Sequence, residues 1–244
     1  MNLDAIGQRL LLLTIAFRVV AWILGLFFVL TIIAMLLYPG GSVSSPESQR
    51  YSFFFNFFSD LGQTHVGYGS SGAANLPSMF LFGLALTTTA AGLVLFFVAF
   101  SLLFQESPVS VWLSRIALLC GTVTAVCFVG VAFTPWNLFL QAHNGFVDWA
   151  FRMFLLAVIL LMITIAVEPG FPRHFMIIFG GFAALLAAYV ALLTFGPSTS
   201  TPQGSAIQAT GQKIIVYASI LTVFIQSLGA LRLLKEGLGR PQRS

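Results

Sequence analysis

The chain carries unusually little charge. Only 7% of its 244 residues are charged, whereas a soluble domain has roughly 25%. Its 11 Lys and Arg residues and 7 Asp and Glu residues give a net charge of +4. No helix or strand gathers the basic residues into a stripe, so the basic surface typical of a nucleic-acid-binding protein is missing. This scarcity excludes an ordinary soluble globule and predicts no nucleic-acid partner.

Cysteine and recognisable catalytic motifs are equally scarce. The two cysteines, Cys120 and Cys127, lie seven residues apart in one apolar run, which on a helix separates them by about 10 Å, too far for a disulfide. We interpret them as small core residues. The sequence has no nucleotide-binding loop, haem pair, EF-hand or His-x-x-x-His spacing. No cofactor or bound metal is therefore predicted.

Apolar residues are abundant. The chain is 58% hydrophobic, includes 26 Phe and has a mean hydropathy of +0.97, a composition that excludes a disordered chain. A membrane helix needs roughly 20 mostly apolar residues, and six runs qualify. The predicted spans are residues 19–38, 79–104, 112–133, 145–167, 175–195 and 214–234. The sequence thus predicts one all-α domain over residues 1–244, a polytopic transmembrane six-helix bundle.

Basic residues between the predicted spans indicate the orientation. With the N-terminus inside, one side of the membrane collects eight basic residues: Arg9, Arg18, Arg115, Arg173, Arg232, Lys235, Arg240 and Arg243. The other side has only Arg50 and Lys213. Because positive residues accumulate on the cytoplasmic side, we predict cytoplasmic N- and C-termini in the plasma membrane.

The first outer loop contains a segment rich in aromatic residues. Six of the eight residues at positions 51–58 are aromatic, which favours a short segment in the membrane interface. We expect it to deliver Ser59, Asp60, Gln63 and His65 to the outer surface. Alternatively, Asp60 next to Gly62 is turn chemistry, in which the carboxylate bonds to nearby backbone. The sequence leaves both interpretations open.

The fourth predicted span contains two charged residues. Asp148 and Arg152 lie four positions apart and are neighbours on a helix, so they are expected to form a salt bridge. Either Asp148 only neutralises Arg152, or the pair lines a polar vestibule, as ionisable residues within spans often do.

Two further patterns predict helix packing. Small residues recur every four positions at Gly180, Ala184 and Ala188; since they let helices approach closely, we expect the fifth span to be central. On the sixth span Ser219, Thr222 and Gln226 share one face, which predicts hydrogen bonds to another helix.

A short motif resembles a known family. The residues FSDLGQT at positions 58–64, followed by Asn75, Ser78 and LFG at 81–83, resemble uncharacterised bacterial six-span membrane proteins and, more distantly, the DRAM/Frag-type membrane family. The resemblance implies a six-helix bundle and, for the DRAM-like members, a role in membrane or lipid homeostasis without established catalysis. It identifies no catalytic residue.

The polar residues on the outer side suggest three functions. In the first, an outer vestibule binds or translocates a lipid headgroup or small polar solute, with Arg152 as the partner of an anion. Its predicted lining residues are Asp60, His65, His143, Asp148 and Arg152. In the second, the same Asp and His residues form a metal-dependent hydrolase site, although their spacing fits no known motif. In the third, the chain is an accessory subunit. The expected partners are membrane lipids, a small molecule or a second copy of the chain.

Overall fold

The computed structural model describes residues 3–68 and 72–239, and every long element in that part of the chain is an α-helix. Six helices are long and apolar enough to cross a membrane, which confirms the six-helix bundle. They are α1 (Leu3–Leu37), α2 (Leu76–Ser101), α3 (Pro108–Phe133), α4 (Trp136–Val167), α5 (His174–Phe195) and α6 (Pro202–Gly239). The predicted inner residues Arg240 and Arg243 lie outside the described residues.

Local sequence explains several helix boundaries. The first turns of α2 and α3 contain proline, which lacks an N–H and is tolerated there because that group would be unpaired anyway. After α1 the chain turns through Gly40 and Gly41, whose φ angles of 116° and 83° are accessible to glycine without a steric penalty.

Three helices begin well before the starts that hydropathy predicts, and one of them is α6, which begins at Pro202, twelve residues before the predicted start at 214. Helix α1 begins at Leu3, well before the predicted start at residue 19. Helix α4 begins at Trp136, nine residues before the predicted start at 145, with non-helical backbone at Phe139 (φ −131°, ψ 48°). The predicted outer link between the third and fourth spans is therefore mostly helical, and only residues 134–135 join α3 to α4.

The six helices form a closed ring. Each helix packs against its neighbours in the chain, and α6 closes the ring by packing against α1. Because successive helices alternate in direction, α1 begins and α6 ends at the same end of the bundle, here named the terminal end. The opposite end, named the loop end, carries residues 38–68, 72–75 and 196–201. A 3₁₀ turn at Phe58–Gly62 lies within the first of these loops and packs against α2, α4 and α6.

Phenylalanine fills the interior of the ring. The ring of Phe100 on α2 lies 6.5 Å from that of Phe17 on α1, and 5.9 and 5.7 Å from those of Phe175 and Phe179 on α5. Phe100 is fully buried. Such edge-to-face and tilted pairs fill space with favourable ring geometry, which explains why the buried phenylalanines lie where they do.

Helix α5 is not central, contrary to the prediction from its small residues. Ala184 and Ala188 are exposed, while the buried face of α5 consists of Phe175, Phe179, Phe182, Leu186 and Tyr189. The helix turns its large residues inward because the space inside the ring suits aromatic side chains. The small residues face outward.

The polar stripe of α6 does form a helix-to-helix hydrogen bond. The Gln226 amide Nε2 donates to the Phe175 carbonyl oxygen of α5 at 2.9 Å, which confirms the prediction for this residue. Ser219 instead donates to Ile215 of its own helix at 2.7 Å.

A carboxylate fastens two connections at the terminal end. Glu168, which follows α4, is 5% exposed and accepts hydrogen bonds from the chain that leads into α3. Its donors are the backbone N–H groups of Gln105 (2.9 Å), Glu106 (3.1 Å) and Ser107 (3.2 Å) and the hydroxyl of Ser110. Burial alone would raise the pKa of Glu168, but these hydrogen bonds outweigh it and lower the pKa. Glu168 therefore acts as a charged cap on α3.

Candidate functional site

Asp60 is the centre of a buried hydrogen-bond network at the loop end. It lies in the 3₁₀ turn, is 1% exposed and accepts five hydrogen bonds, a set named here the Asp60 network. The donors are Asn56 Nδ2 (2.8 Å), Phe57 N (2.9 Å), Gln63 Nε2 (3.0 Å), Trp136 Nε1 (3.1 Å) and Tyr68 Oη (3.2 Å). The network joins the first loop to the start of α4.

Burial dominates the titration of Asp60. Loss of water raises the pKa of its carboxyl to about 6, and the hydrogen bonds from Asn56, Phe57, Tyr68 and Trp136 oppose that rise. Burial, followed by the nearby Asp60 charge, raises the pKa of Tyr68, so Tyr68 remains a protonated donor to the carboxylate.

The 3₁₀ turn fits closely against α2. Asn75 donates to the carbonyl oxygens of Leu61 and Gln63 at 3.0 and 2.9 Å, and the Ser78 hydroxyl donates to Leu61 at 3.2 Å. A Cβ on Gly62 would lie 2.8 Å from a ring carbon of Phe82, so this close approach requires glycine. The motif at residues 58–83 thus encodes a turn and its docking surface. The turn interpretation of Asp60 holds, because its carboxylate accepts from the backbone N–H of Phe57, but Asp60 also joins separate elements through Trp136.

Asp60 and Gln63 do not reach the surface, contrary to expectation. Both are buried together with Ser59, while His65 is exposed. Aromatic residues pack against the turn that carries the network. The ring of Phe58 stacks on that of Phe27, with ring centroids 5.8 Å apart.

Lys213, which was predicted to lie on the outer side of the membrane, is buried in the protein. It is 2% exposed, donates to the carbonyl oxygens of Asn56 and Ala209 and lies 5.5 Å from the ring centroids of Tyr51 and Phe53. A cation over aromatic faces is stabilised by the ring quadrupole. Since Asn56 accepts from Lys213 and donates to Asp60, it links the two buried charges.

A polar stripe on α6 was the signal that could have revealed this burial. Ser205, Gln208 and Gln212 are spaced i, i+3 and i+7 and are all buried, as expected for one face of a helix. Gln212 accepts from the backbone N–H of Phe58 at 2.7 Å, and Gln208 donates to the Leu192 carbonyl at 3.0 Å. Helix α6 therefore extends beyond the predicted span and holds the first loop.

A cavity of about 600 Å³ opens beside the Asp60 network, and we name it the loop-end cavity. Its wall comes from the first loop, α4, α5, α6 and the α5–α6 connection. The aromatic lining residues include Tyr68, Trp136 and Tyr189, and the polar ones include Ser59, His143, Asn144, Asp148, Gln208 and Gln212. Its volume lies within the roughly 300–1,000 Å³ typical of small-molecule pockets.

His143 presents a hydrogen-bond acceptor to this cavity. It is 4% exposed and lies on α4, in helix that the sequence analysis placed in a loop. Its Nδ1 is 2.7 Å from the Thr134 carbonyl oxygen, which can only accept, so Nδ1 carries the proton and Nε2 of the neutral ring has a free lone pair. Nε2 has no hydrogen-bond partner within the described part of the chain.

Asp148 and Arg152 form the predicted salt bridge. Arg152 Nε donates to Asp148 Oδ2 at 2.7 Å, and Arg152 Nη2 donates to Thr194 on α5 at 3.1 Å. Both charged side chains are about two fifths exposed (42% and 40%). Asp148 lines the loop-end cavity, whereas Arg152 is not among its lining residues.

The five predicted site residues are thus distributed unequally. His143 and Asp148 share the cavity wall, Asp60 lies behind Tyr68 and Trp136 of that wall, and Arg152 is held beside Asp148. His65 contacts Thr64 at 3.3 Å and does not line the cavity. In residues 3–68 and 72–239 no three His, Cys, Asp or Glu side chains come together as a metal site requires.

Comparisons with family models, curated proteins and solved structures gave no match to this chain.

Proposed function

We propose that this integral membrane protein binds a small polar solute or a lipid headgroup in the loop-end cavity. The observation that carries the proposal is the cavity of about 600 Å³, which is lined by His143, a residue whose Nε2 has no hydrogen-bond partner among the described residues. A ligand that carries an N–H or O–H group can donate a hydrogen bond to this nitrogen.

The composition of the wall supports binding. Aromatic rings form its apolar part, and a few polar side chains are fixed by contacts outside the cavity, as with Gln208 on the Leu192 carbonyl. Ligand sites commonly combine these two kinds of surface.

The packing below the cavity favours binding over translocation. Tyr189 of the wall meets Phe151 of α4 with ring centroids 4.7 Å apart, and Phe154 meets Phe182 at 5.2 Å deeper in the bundle. These aromatic pairs pack α4 against α5, and on that ground we propose a binding site in preference to a translocation path.

The orientation proposed for the site follows from the cations. Arg9, Arg173 and Lys235 lie near the terminal end, whereas at the loop end Arg50 is exposed and Lys213 is buried. By the positive-inside rule, we place both termini in the cytoplasm and the loop-end cavity on the outer side of the plasma membrane.

A cavity-filling variant tests the proposed function. Val147→Trp places a large side chain in the cavity wall, and Leu156→Trp, an exposed position on the same helix, is the matched control. Native mass spectrometry and thermal-shift assays with lipid extracts and polar solutes are expected to show binding by the wild type and Leu156→Trp, and its loss in Val147→Trp. Equal binding by all three proteins would contradict the proposal.

A further inference from the structure

The aromatic side chains that line the loop-end cavity offer a ligand their ring faces and few free hydrogen-bond donors. The rings of Tyr68 and Trp136 lie 5.8 Å apart with their planes at 48°, and Tyr189 lines the same cavity. The hydroxyl of Tyr68 and the Nε1 of Trp136 both donate to Asp60. Their hydrogen-bonding groups are therefore occupied, and what these two side chains offer a ligand is the electron-rich ring.

The polar wall is rich in acceptors. His143 contributes the Nε2 lone pair, and Asp148 contributes Oδ1, since Arg152 bonds to Oδ2. Gln208 uses its Nε2 on the carbonyls of Leu192 and Pro197, which leaves Oε1. Gln212 offers a donor instead, because its Oε1 accepts from Phe58 and its Nε2 remains. The wall also contains four side chains that can donate or accept: Ser59, Asn144, Thr199 and Ser200.

The wall of the cavity offers an anion no cationic partner. Among the described residues that line the cavity, Asp148 is the only charged one. The two nearest cations bind other groups: Arg152 binds Asp148 and Thr194, and Lys213 binds carbonyls of the first loop and α6. A phosphate or carboxylate ligand would meet a carboxylate with no cation in the wall to pair with it.

We propose that the loop-end cavity recognises an alkylammonium group, a proposal that rests on the cavity being a ligand site. Aromatic rings attract such cations through their quadrupole, Asp148 supplies an opposite charge, and His143 and Gln208 accept hydrogen bonds from the N–H or O–H groups that an amine or amino alcohol carries. The group is either a free organic amine or the amine-bearing headgroup of a lipid.

Isosteric probes test the charge requirement. Purified protein in an uncharged maltoside detergent is titrated calorimetrically with choline, ethanolamine, inorganic phosphate and 3,3-dimethylbutan-1-ol, a neutral isostere of choline. Choline or ethanolamine is expected to bind at least about tenfold more tightly than the isostere, and phosphate is expected not to bind.

Two carboxylate variants test whether Asp148 is responsible for the preference for a cation. Asp148→Asn is expected to weaken cation binding several-fold and to leave binding of the isostere unchanged. Glu47→Gln, which neutralises an exposed carboxylate of the first loop outside the cavity wall, is the control and is expected to bind like the wild type.

Experiments with lipid vesicles distinguish a lipid headgroup from a free organic amine. Native mass spectrometry from vesicles that contain phosphatidylcholine, phosphatidylethanolamine or phosphatidylglycerol shows which lipid stays bound. Retention of the amine lipids over phosphatidylglycerol, with loss in Val147→Trp, identifies a headgroup site, whereas binding of free choline or ethanolamine alone identifies a solute site.

The two proposals fail differently. Isostere or phosphate binding equal to or tighter than that of both cations would overturn amine recognition and leave the cavity as a ligand site. No binding of any probe, together with no bound molecule that Val147→Trp displaces, would overturn both.

Discussion

Asp60 has one of the least water-accessible carboxyl groups in the described chain, yet it keeps five hydrogen-bond donors. Burial of a charge without such partners costs far more than one folded domain can offset. Even with them, burial raises the pKa of Asp60 from 3.8 to about 6. The fold therefore favours the protonated form relative to the unfolded chain.

The sign of the resulting pH dependence follows by linkage. A raised pKa contributes stability that is complete below pH 3.8 and is lost as the pH rises through about 6. The free energy of unfolding of the wild type, relative to Asp60→Asn, should therefore fall by about 2 kcal/mol between pH 4.5 and 7.5. Denaturant unfolding in detergent at several pH values measures it.

The control for this experiment is Glu47→Gln, which removes an exposed carboxylate from the same loop. It should keep the wild-type slope of stability against pH. A slope in Asp60→Asn equal to that of the wild type would show that Asp60 does not titrate in this range.

At the scale of the elements, the pKa of Glu168 is shifted in the direction opposite to that of Asp60. It joins the end of α4 to the start of α3, and its hydrogen bonds lower its pKa despite burial. A lowered pKa contributes stability that is present above the ordinary value of 4.5 and is lost as the pH falls through the folded-state pKa.

Glu168→Gln should destabilise the protein by about 2–4 kcal/mol, because an amide cannot accept four hydrogen bonds as well as a carboxylate and its NH₂ group faces donors. Glu106→Gln, an exposed neighbour, is the control and should have little effect. Urea or thermal unfolding at pH 7.5 measures both variants, and equal stabilities would show that the cap contributes nothing.

Hydropathy predicted the number of helices but not their ends. The residues from 136 to 144 include Asn137, Gln141, His143 and Asn144, a composition typical of a loop, although the backbone is helical there except at Phe139. A helix needs only backbone hydrogen bonds and space for its side chains. Helix α4 therefore continues beyond the predicted span, and two of those polar residues, His143 and Asn144, line a cavity.

The candidate site was predictable only where its contacts are local. The Asp148–Arg152 pair follows from helical spacing. One donor to Asp60 is Trp136, which lies 76 positions further along the chain, and no spacing rule predicts that contact. Lys213 looked like an outer loop cation because the sequence gives its position but not the aromatic residues that cover it.

At the scale of the whole molecule, six spans place residues 47 and 106 on opposite sides of the membrane. After replacement of the buried Cys120 and Cys127 by Ala, a membrane-impermeant maleimide should label Glu47→Cys in intact cells. It should label Glu106→Cys only after permeabilisation. The reversed pattern would contradict the proposed orientation, and labelling of both in intact cells would contradict the six-span arrangement.

The burial of Lys213 gives the protein an internal reporter. The chain has only two lysines, Lys213 and Lys235, and Lys235 is exposed. An amine-acylating reagent therefore modifies the folded protein at Lys235, and it reaches Lys213 only when the first loop lifts away from α6. The rate at which Lys213 is acylated, measured by peptide mapping at successive times, therefore reports how often the first loop separates from α6 in the native protein, and no introduced probe is needed.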